Sequence, residues 1–352
     1  KDKSVSYTTG NNTIAYSYQT TGSDEDEKVS SDTVKNGDAT ALSSAYTYDD
    51  NGNVLKKAVT ANGSTLDLVN TYDDKDRITS VTTGSKTVNY TYDADSQLTG
   101  ASGGGYSASY SYDSRGNITN KTVNGTETTF TYANSGWKDQ LVSVNGTDLT
   151  YDANGNVLTY GDKEYTWNTG RHLESITDGE NTYSYAYDED GIRTSKTVNG
   201  VTTYYHTKDG VILSQTDGTN TMYFQYDTNG VPFGFIYNGT QYFYITNQMG
   251  DVVDITDSTG TLIAQYEYDE WGNVLSTSDN NIANINPIRY RGYYQDAETG
   301  YYYLQSRYYD TSICRFINAD IAEVSKIAID IPVGINSFIY CNNNPINNSD
   351  PD

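Results

Sequence analysis

Residues 46–53 read Tyr-Thr-Tyr-Asp-Asp-Asn-Gly-Asn, and this pattern decides the fold. An aromatic residue, any residue and a second aromatic residue are followed by Asp and by a stretch that ends in Gly-Asn. Aromatic residues two positions apart point to the same face of a β-strand. Asp, Asn and Gly favour tight turns. The stretch therefore predicts a strand that carries two rings on one face and ends in a turn.

The pattern returns along most of the chain, about every 20 residues, which is room for two strands and two turns. Each unit is therefore one β-hairpin with its connection. We predict an all-β fold of tandem antiparallel β-hairpins in which the rings of neighbouring units stack. The positions that represent the structural repeat are Tyr48, Asp49, Gly52, Tyr92, Tyr112, Gly116, Tyr187, Tyr268 and Gly272.

Composition narrows the classes of partner. The chain has 46 acidic and 22 basic residues among 352, a formal net charge of −24. Such a surface repels phosphate backbones, so we expect no nucleic-acid partner. We also expect no membrane span, because no apolar stretch approaches the necessary length. We expect no cofactor and no metal site, since the acidic turns lack the ligand order of a calcium loop.

Only two cysteines occur, Cys314 and Cys341. Two cysteines cannot build a disulfide framework or a four-thiolate zinc site. A single Cys314–Cys341 bridge and two free thiols remain as alternatives.

The regular spacing loosens near residue 204, where aromatic residues crowd together. We therefore divide the sequence into a hairpin array (1–203), a distinct core (204–320) and a C-terminal segment (321–352). The core contains ordered sequence blocks that are hard to obtain by chance, at residues 242–251, 266–273, 286–294, 296–304 and 307–316.

These repeats resemble the YD repeats of Rhs proteins, and the stretch from Tyr242 resembles the Rhs repeat-associated core. The resemblance implies a single-layer β-strip that spirals into a hollow shell, with a variable C-terminal toxin domain of the same polypeptide held inside. It also implies a bacterial protein that is secreted or displayed on the cell surface. No toxin domain lies within the present sequence. For such a shell we predict a polar inner wall.

The resemblance further implies an aspartyl autoprotease that cuts its own chain once, with no multiple turnover. Asp320 and Asp350 occupy the matching positions, and Arg307 and Arg315 are candidates to orient a carboxylate. Ile321 and Cys314 depart from the family pattern, which has Pro and Gly there. The alternative is that Asp320 and Asp350 are turn residues that bond backbone amides, and that the arginines pair with structural carboxylates or stack on tyrosines. Asp330 is a less well placed substitute.

An alternative function from a different class is adhesion. Tyrosine rings offer an apolar face and a hydroxyl group to a sugar. The strip would then bind cell-surface glycans from its outer face and enclose nothing.

Overall fold

The computed structural model describes residues 2–9, 12–21, 28–133, 135–169, 171–320 and 336–350. Over these residues nearly all regular structure is β-strand. The first strands are β1 (Asp2–Thr9), β2 (Asn12–Thr21), β3 (Lys28–Asn36), β4 (Ala39–Tyr48), β5 (Val54–Ala61), β6 (Ser64–Tyr72), β7 (Ile78–Thr83), β8 (Lys86–Tyr92), β9 (Leu98–Gly103), β10 (Tyr106–Tyr112), β11 (Ile118–Val123), β12 (Thr126–Tyr132), β13 (Leu141–Val144) and β14 (Thr147–Tyr151).

The hairpin strands continue as β15 (Val157–Tyr160), β16 (Lys163–Trp167), β17 (Leu173–Asp178), β18 (Asn181–Tyr187), β19 (Arg193–Val198), β20 (Val201–Lys208), β21 (Val211–Thr216), β22 (Thr221–Tyr226), β23 (Pro232–Tyr237), β24 (Thr240–Thr246), β25 (Val252–Asp257), β26 (Leu262–Tyr268) and β27 (Val274–Thr277). Short pieces follow: helix α1 (Asn281–Ile285), a 3-10 turn (Tyr290–Gly292), β28 (Tyr294–Gln295), β29 (Tyr302–Leu304), β30 (Arg307–Asp310), β31 (Arg315–Phe316) and a 3-10 turn (Cys341–Asn343).

The chain forms two compact units. Unit 1 comprises Lys1–Tyr90 and Met222–Gly292, and unit 2 comprises Thr91–Thr221 and Tyr293–Asp352. In unit 1, consecutive strands pair antiparallel from β1 through β8 and from β22 through β27. In unit 2, consecutive pairing runs from β9 through β21, and β28–β31 form a separate small sheet.

In many repeats, the second aromatic residue links one hairpin to the one before it. The strand register shifts by one residue just before this aromatic, for example between Ser111 and Tyr112. The shift is a β-bulge, which re-aims a side chain. The ring's polar atom then donates to a main-chain carbonyl oxygen of the preceding repeat. Such bonds join Tyr48 to Val29, Tyr72 to Val54, Tyr112 to Leu98, Tyr132 to Ile118, Trp167 to Val157, Tyr187 to Leu173, and Tyr268 to Val252.

The aspartate that follows organises the turn. Asp113 Oδ1 accepts from the backbone amides of Arg115 and Asn117, and Oδ2 accepts from the Asn117 side chain at 2.9 Å. Asp49 bonds Asn53 in the same way. The glycine inside the turn has positive φ, which side-chain-bearing residues adopt at a cost: +76° at Gly116. These bonds explain why the repeat reads Tyr-Asp-x-x-Gly-Asn.

Unit 1 packs two runs of hairpins face to face around an apolar cluster. Tyr16 stacks on Phe233 with ring centroids 5.2 Å apart, and the Tyr7 hydroxyl donates to the Tyr226 carbonyl oxygen at 2.8 Å. The buried residues of the cluster are Ile14, Val34, Ala41, Leu42, Val59, Leu68, Phe233, Phe243, Ile245 and Val253. This face buries aliphatic and aromatic side chains against another layer of the same unit. The polar inner wall of a shell stays a prediction.

In unit 2, residues 293–320 and 336–350 form a strap that packs on the hairpins. The Tyr165 hydroxyl lies 2.6 Å from the Tyr301 hydroxyl. The Asn117 side-chain oxygen accepts from the Asn336 amide at 2.7 Å. The strap therefore meets hairpins that are far from it in the sequence. Within the described ranges, no helix is long and apolar enough to cross a membrane.

Candidate functional site

Arg307 brings together the two aspartates that the sequence singled out. It lies on β30, and its guanidinium nitrogen Nη2 is 3.0 and 3.1 Å from the two carboxylate oxygens of Asp350. Its other terminal nitrogen, Nη1, is 3.5 Å from Asp320 Oδ2. One guanidinium therefore bridges both carboxylates. A cation between two carboxylates offsets their mutual repulsion and lets both approach the same point.

The surroundings of the two carboxylates differ. The Asp350 side chain is 13% exposed, whereas the Asp320 side chain is 35% exposed. The Tyr293 hydroxyl accepts from the Asp350 backbone amide at 3.1 Å and donates to the Asp350 carbonyl oxygen at 2.8 Å. The Arg307 guanidinium also lies over the Phe316 ring, 3.7 Å from its centroid. Asp350 is thus held at its main chain and its side chain, while Asp320 keeps access to water.

Arg315, the second candidate for orienting a carboxylate, points to a different set of groups. Its Nη2 atom donates to the Asp139 carbonyl oxygen at 2.6 Å. Its guanidinium lies over the rings of Tyr132 and Phe338, at 5.1 and 5.0 Å. This is the stacking that the sequence left open as the alternative for an arginine. Asp330 lies outside the described residues, and Cys314 and Cys341 are buried free thiols.

A second charged cluster in unit 2 was not found from the sequence. Arg193 and Asp296 are fully buried and form two contacts, of 2.6 and 3.1 Å. Lys196 lies 2.9 Å from Asp296 and 2.8 Å from Glu298. The Arg193 guanidinium is also surrounded by aromatic rings, with centroids at 4.2 to 5.9 Å, from Tyr185, Tyr205, Tyr294, Tyr303 and Tyr308.

Electrostatics keep this cluster charged despite its burial. Burial alone would raise the pKa of Asp296, but the Arg193 and Lys196 cations outweigh it and hold that pKa below its usual range. Burial alone would lower the pKa of Arg193, and the Asp296 carboxylate again outweighs it, so the pKa rises. The cluster ties the strap to strand β19. We read it as a structural clamp, because the charges of the strap and the hairpins pair with each other within it.

The sequence contains one feature that predicts this clamp, an arginine at a repeat position that is aliphatic elsewhere. Position 193 falls six residues after the second aromatic of its repeat, where other repeats carry an aliphatic residue. The aliphatic residues at that position include Ile78, Leu98, Ile118, Val157 and Leu173, all buried. An arginine in a column of buried aliphatic residues requires an acidic partner.

The repeat positions chosen from the sequence have the roles described above. The tyrosines that bond the preceding hairpin are Tyr48, Tyr112, Tyr187 and Tyr268. Asp49 organises its turn, and the glycines have positive φ. The Tyr92 hydroxyl accepts from the Asn347 side-chain amide of the strap at 3.0 Å. Gly272 has φ of +90°, and a Cβ there would lie 2.6 Å from the Tyr290 ring. A side chain at Gly272 would therefore displace Tyr290.

The architecture defines a class of repeat protein in which tyrosines join antiparallel hairpins and a strap, formed by residues 293–320 and 336–350, packs on the hairpins. The family model described as Teneurin YD-shell matches residues 80–346, and the chain belongs to this family. The resemblance to YD-repeat proteins of the Rhs type is confirmed. The predicted division at residues 203/204 and 320/321 stays a prediction.

Curated relatives match only with a small part of their own length. The tRNA(Glu)-specific nuclease WapA of Bacillus subtilis subsp. natto is 41% identical over 221 residues, covering 61% of this chain and 9% of that protein. The tRNA nuclease WapA of Bacillus subtilis strain 168 is 38% identical over the same share of both chains. The chain thus spans about a tenth of these relatives.

A solved structure shares the fold over nearly the whole chain. The crystal structure titled TcdB2-TccC3-TEV superposes with a TM-score of 0.76 and 19% identity, covering 96% of this chain and 20% of that one. The all-β fold of tandem antiparallel hairpins is therefore confirmed as that of a YD-repeat shell.

Proposed function

We propose that this chain is the wall of a β-shell that encloses a toxin domain located C-terminally in the same polypeptide. The observation that carries the proposal is the YD-shell fold, matched over 97% of the chain by a structure titled as the Photorhabdus luminescens Tc holotoxin pore. Curated relatives are named as tRNA nucleases, and this chain covers 9% of one of them. The enclosed domain, rather than the hairpins, would carry such an activity.

The shell would be secreted or displayed on a bacterial surface and would deliver its toxin in competition between bacteria or against a host. Containment has a physical rationale, because pairing and closing of strands removes exposed edges that would otherwise aggregate. The adhesion alternative, with glycans as partners, stays a prediction.

Protease protection tests containment. In the full-length protein, native digestion should leave the domain that follows this chain intact, while the same domain expressed alone is cut at its flexible sites. Mild urea that opens the shell should make both equally sensitive. If the domain is cut equally fast within the native full-length protein, it is not enclosed.

We also propose that Asp320 and Asp350 cleave the chain once on the C-terminal side of Asp350. The support is their shared contact with Arg307. Asp320, the more exposed carboxylate, would take a proton from water as the water attacks the peptide carbonyl. The protonated Asp320 would then return this proton to the peptide nitrogen as the C–N bond breaks and the new amino terminus leaves. Asp350, held by Arg307 and Tyr293, would position the local main chain and stabilise the arrangement of charges.

The test is the size of the full-length product on a denaturing gel. Asp320→Asn and Asp350→Asn should each leave an uncleaved chain. Asp257→Asn is the matched control, because Asp257 is a turn residue of unit 1 whose carboxylate bonds the Thr259 and Thr261 amides. Cleavage that persists in both site variants would refute this proposal, and it would leave the containment proposal standing.

A further inference from the structure

Three lysines share one place in the repeat and are all buried. Lys57, Lys121 and Lys196 each lie nine residues after the second aromatic of their repeat. They are 9%, 8% and 7% exposed. A buried ammonium group needs an acceptor. The three lysines can therefore be compared by the group that accepts a hydrogen bond from each amine.

Two of the three lysines meet oxygen acceptors. In unit 1, the Lys57 amine donates to the Thr246 carbonyl oxygen at 2.9 Å and contacts the Thr246 hydroxyl at 3.2 Å. In unit 2, Lys196 meets the carboxylates of Asp296 and Glu298. Oxygen is thus the acceptor in both cases.

Lys121 meets a sulfur atom. Its Nζ atom lies 3.6 Å from Cys314 Sγ, within unit 2. The Cys314 side chain is 2% exposed, and in its protonated form Sγ also donates to the Thr311 carbonyl oxygen at 3.6 Å. An adjacent ammonium group stabilises the thiolate, which is the form that reacts with oxidants. Burial limits the reaction to oxidants as small as peroxide.

The backbone at Cys314 adds a second observation. Cys314 has φ of +58°, a conformation that favours glycine. A cysteine there accepts backbone strain and places its sulfur beside a buried amine. Residues with strained backbone conformations cluster at functional sites.

We propose that Cys314 and Lys121 form an oxidation site in which peroxide joins the sulfur to the lysine nitrogen. The Cys314 thiolate attacks one oxygen of hydrogen peroxide, the O–O bond breaks, and the sulfur becomes a sulfenic acid. The hydroxide that leaves takes a proton from the Lys121 ammonium group and departs as water. The neutral amine then attacks the sulfur, the S–O bond breaks, and a second water leaves. Sulfur loses two electrons, which peroxide accepts. The product is a sulfenamide that ties the strap to strand β11, and thiols reverse it.

Peptide mass spectrometry of the native 352-residue chain after treatment with hydrogen peroxide tests the site. We expect a cross-linked pair of peptides that contain Lys121 and Cys314, lighter by two hydrogen atoms than their sum. Dithiothreitol should separate the pair. Cys341→Ser is the matched control, because it removes the other buried thiol and should retain the cross-link.

Two lysine variants separate the chemistry from folding. Lys121→Met should lose the cross-link, and Cys314 should then oxidise more slowly, because the cation that stabilises the thiolate is gone. Lys121→Arg keeps a cation beside the sulfur but offers a poorly nucleophilic group, so it should fold and also lose the cross-link. The proposal is overturned if wild type forms no cross-linked pair, or if Cys314 oxidises to the same product and extent in wild type and Lys121→Arg.

Discussion

Replacing Arg193 with Met should destabilise unit 2 by about 3–5 kcal/mol, because it leaves the carboxylate of Asp296 buried with less compensation. Both partners are fully buried in the folded chain. Lys196 remains beside Asp296 at 2.9 Å, which favours the lower end of this range. The lost contact between the guanidinium and the Tyr303 ring, at 4.2 Å, adds about 0.5–2 kcal/mol. Met preserves most of the volume of the side chain, so little of the loss comes from a cavity.

Urea unfolding followed by tyrosine fluorescence measures the change, and hydrogen exchange of residues 293–310 locates it. Lys86→Met is the matched control. It breaks an ion pair with Glu267 whose side chains are 35% and 47% exposed, and such pairs contribute at most about 1 kcal/mol. Arg193→Met should therefore lower the midpoint clearly more than Lys86→Met, and it should speed exchange in the strap.

A double variant checks that the two buried charges act on each other. Arg193→Met combined with Asp296→Asn removes both charges, so its loss should be smaller than the sum of the two single losses. The reasoning is refuted if Arg193→Met costs less than about 1 kcal/mol, or if the two losses simply add.

Other positions give further expectations, each measured by urea unfolding. Burial raises the pKa of Asp310, so above its unfolded pKa of about 3.9 the ionised carboxylate lowers the stability of the folded chain. Asp310→Asn should therefore stabilise the chain at pH 7, and this gain should vanish as the pH falls below that value. A gain that stays constant with pH would contradict the assignment. The Tyr151 hydroxyl donates to the Leu141 carbonyl oxygen at 2.9 Å, so Tyr151→Phe should cost about 1 kcal/mol, and an unchanged midpoint would show that the bond contributes nothing. Gly155→Ala places a methyl group 2.7 Å from the Trp137 ring, whereas Gly125→Ala meets open space at a similar φ. Gly125→Ala should lower the free energy of unfolding by roughly 1–2 kcal/mol through backbone strain alone, and Gly155→Ala should lower it by more. Equal losses of stability in the two variants would rule out the clash.

Local features of this fold follow from short stretches of sequence. The Tyr-x-Tyr-Asp pattern near Tyr112 predicts a strand and then a turn, and β10 ends at Tyr112. The reason is that the turn bonds of Asp113 reach only four residues along the chain. The spacing of the aromatic residues and the turn-forming residues are therefore sufficient to predict the hairpins from the sequence.

The contacts between the strap and the hairpins could not be predicted in the same way. Arg193 and Asp296 are separated by 103 residues, and Arg307 contacts both Asp320 and Asp350. Such contacts depend on how distant segments pack. The sequence placed Asp320 and Asp350 in motif positions, but the bridging role of Arg307 required the geometry. The apolar face of unit 1 was missed because tyrosine and threonine dominate the repeats and obscure the alternating Val, Leu and Ile residues that are buried.

In the proposed shell, the hairpin wall encloses the domain that follows it. Cryo-electron microscopy of the full-length protein, prepared with Asp320→Asn and Asp350→Asn so that the chain stays joined, can locate that domain. We expect density for the following domain on the inner side of the hairpin wall, continuous with the strap beyond Asp350. Density for that domain outside the wall, with the space inside the wall filled by hairpin side chains alone, would contradict this expectation.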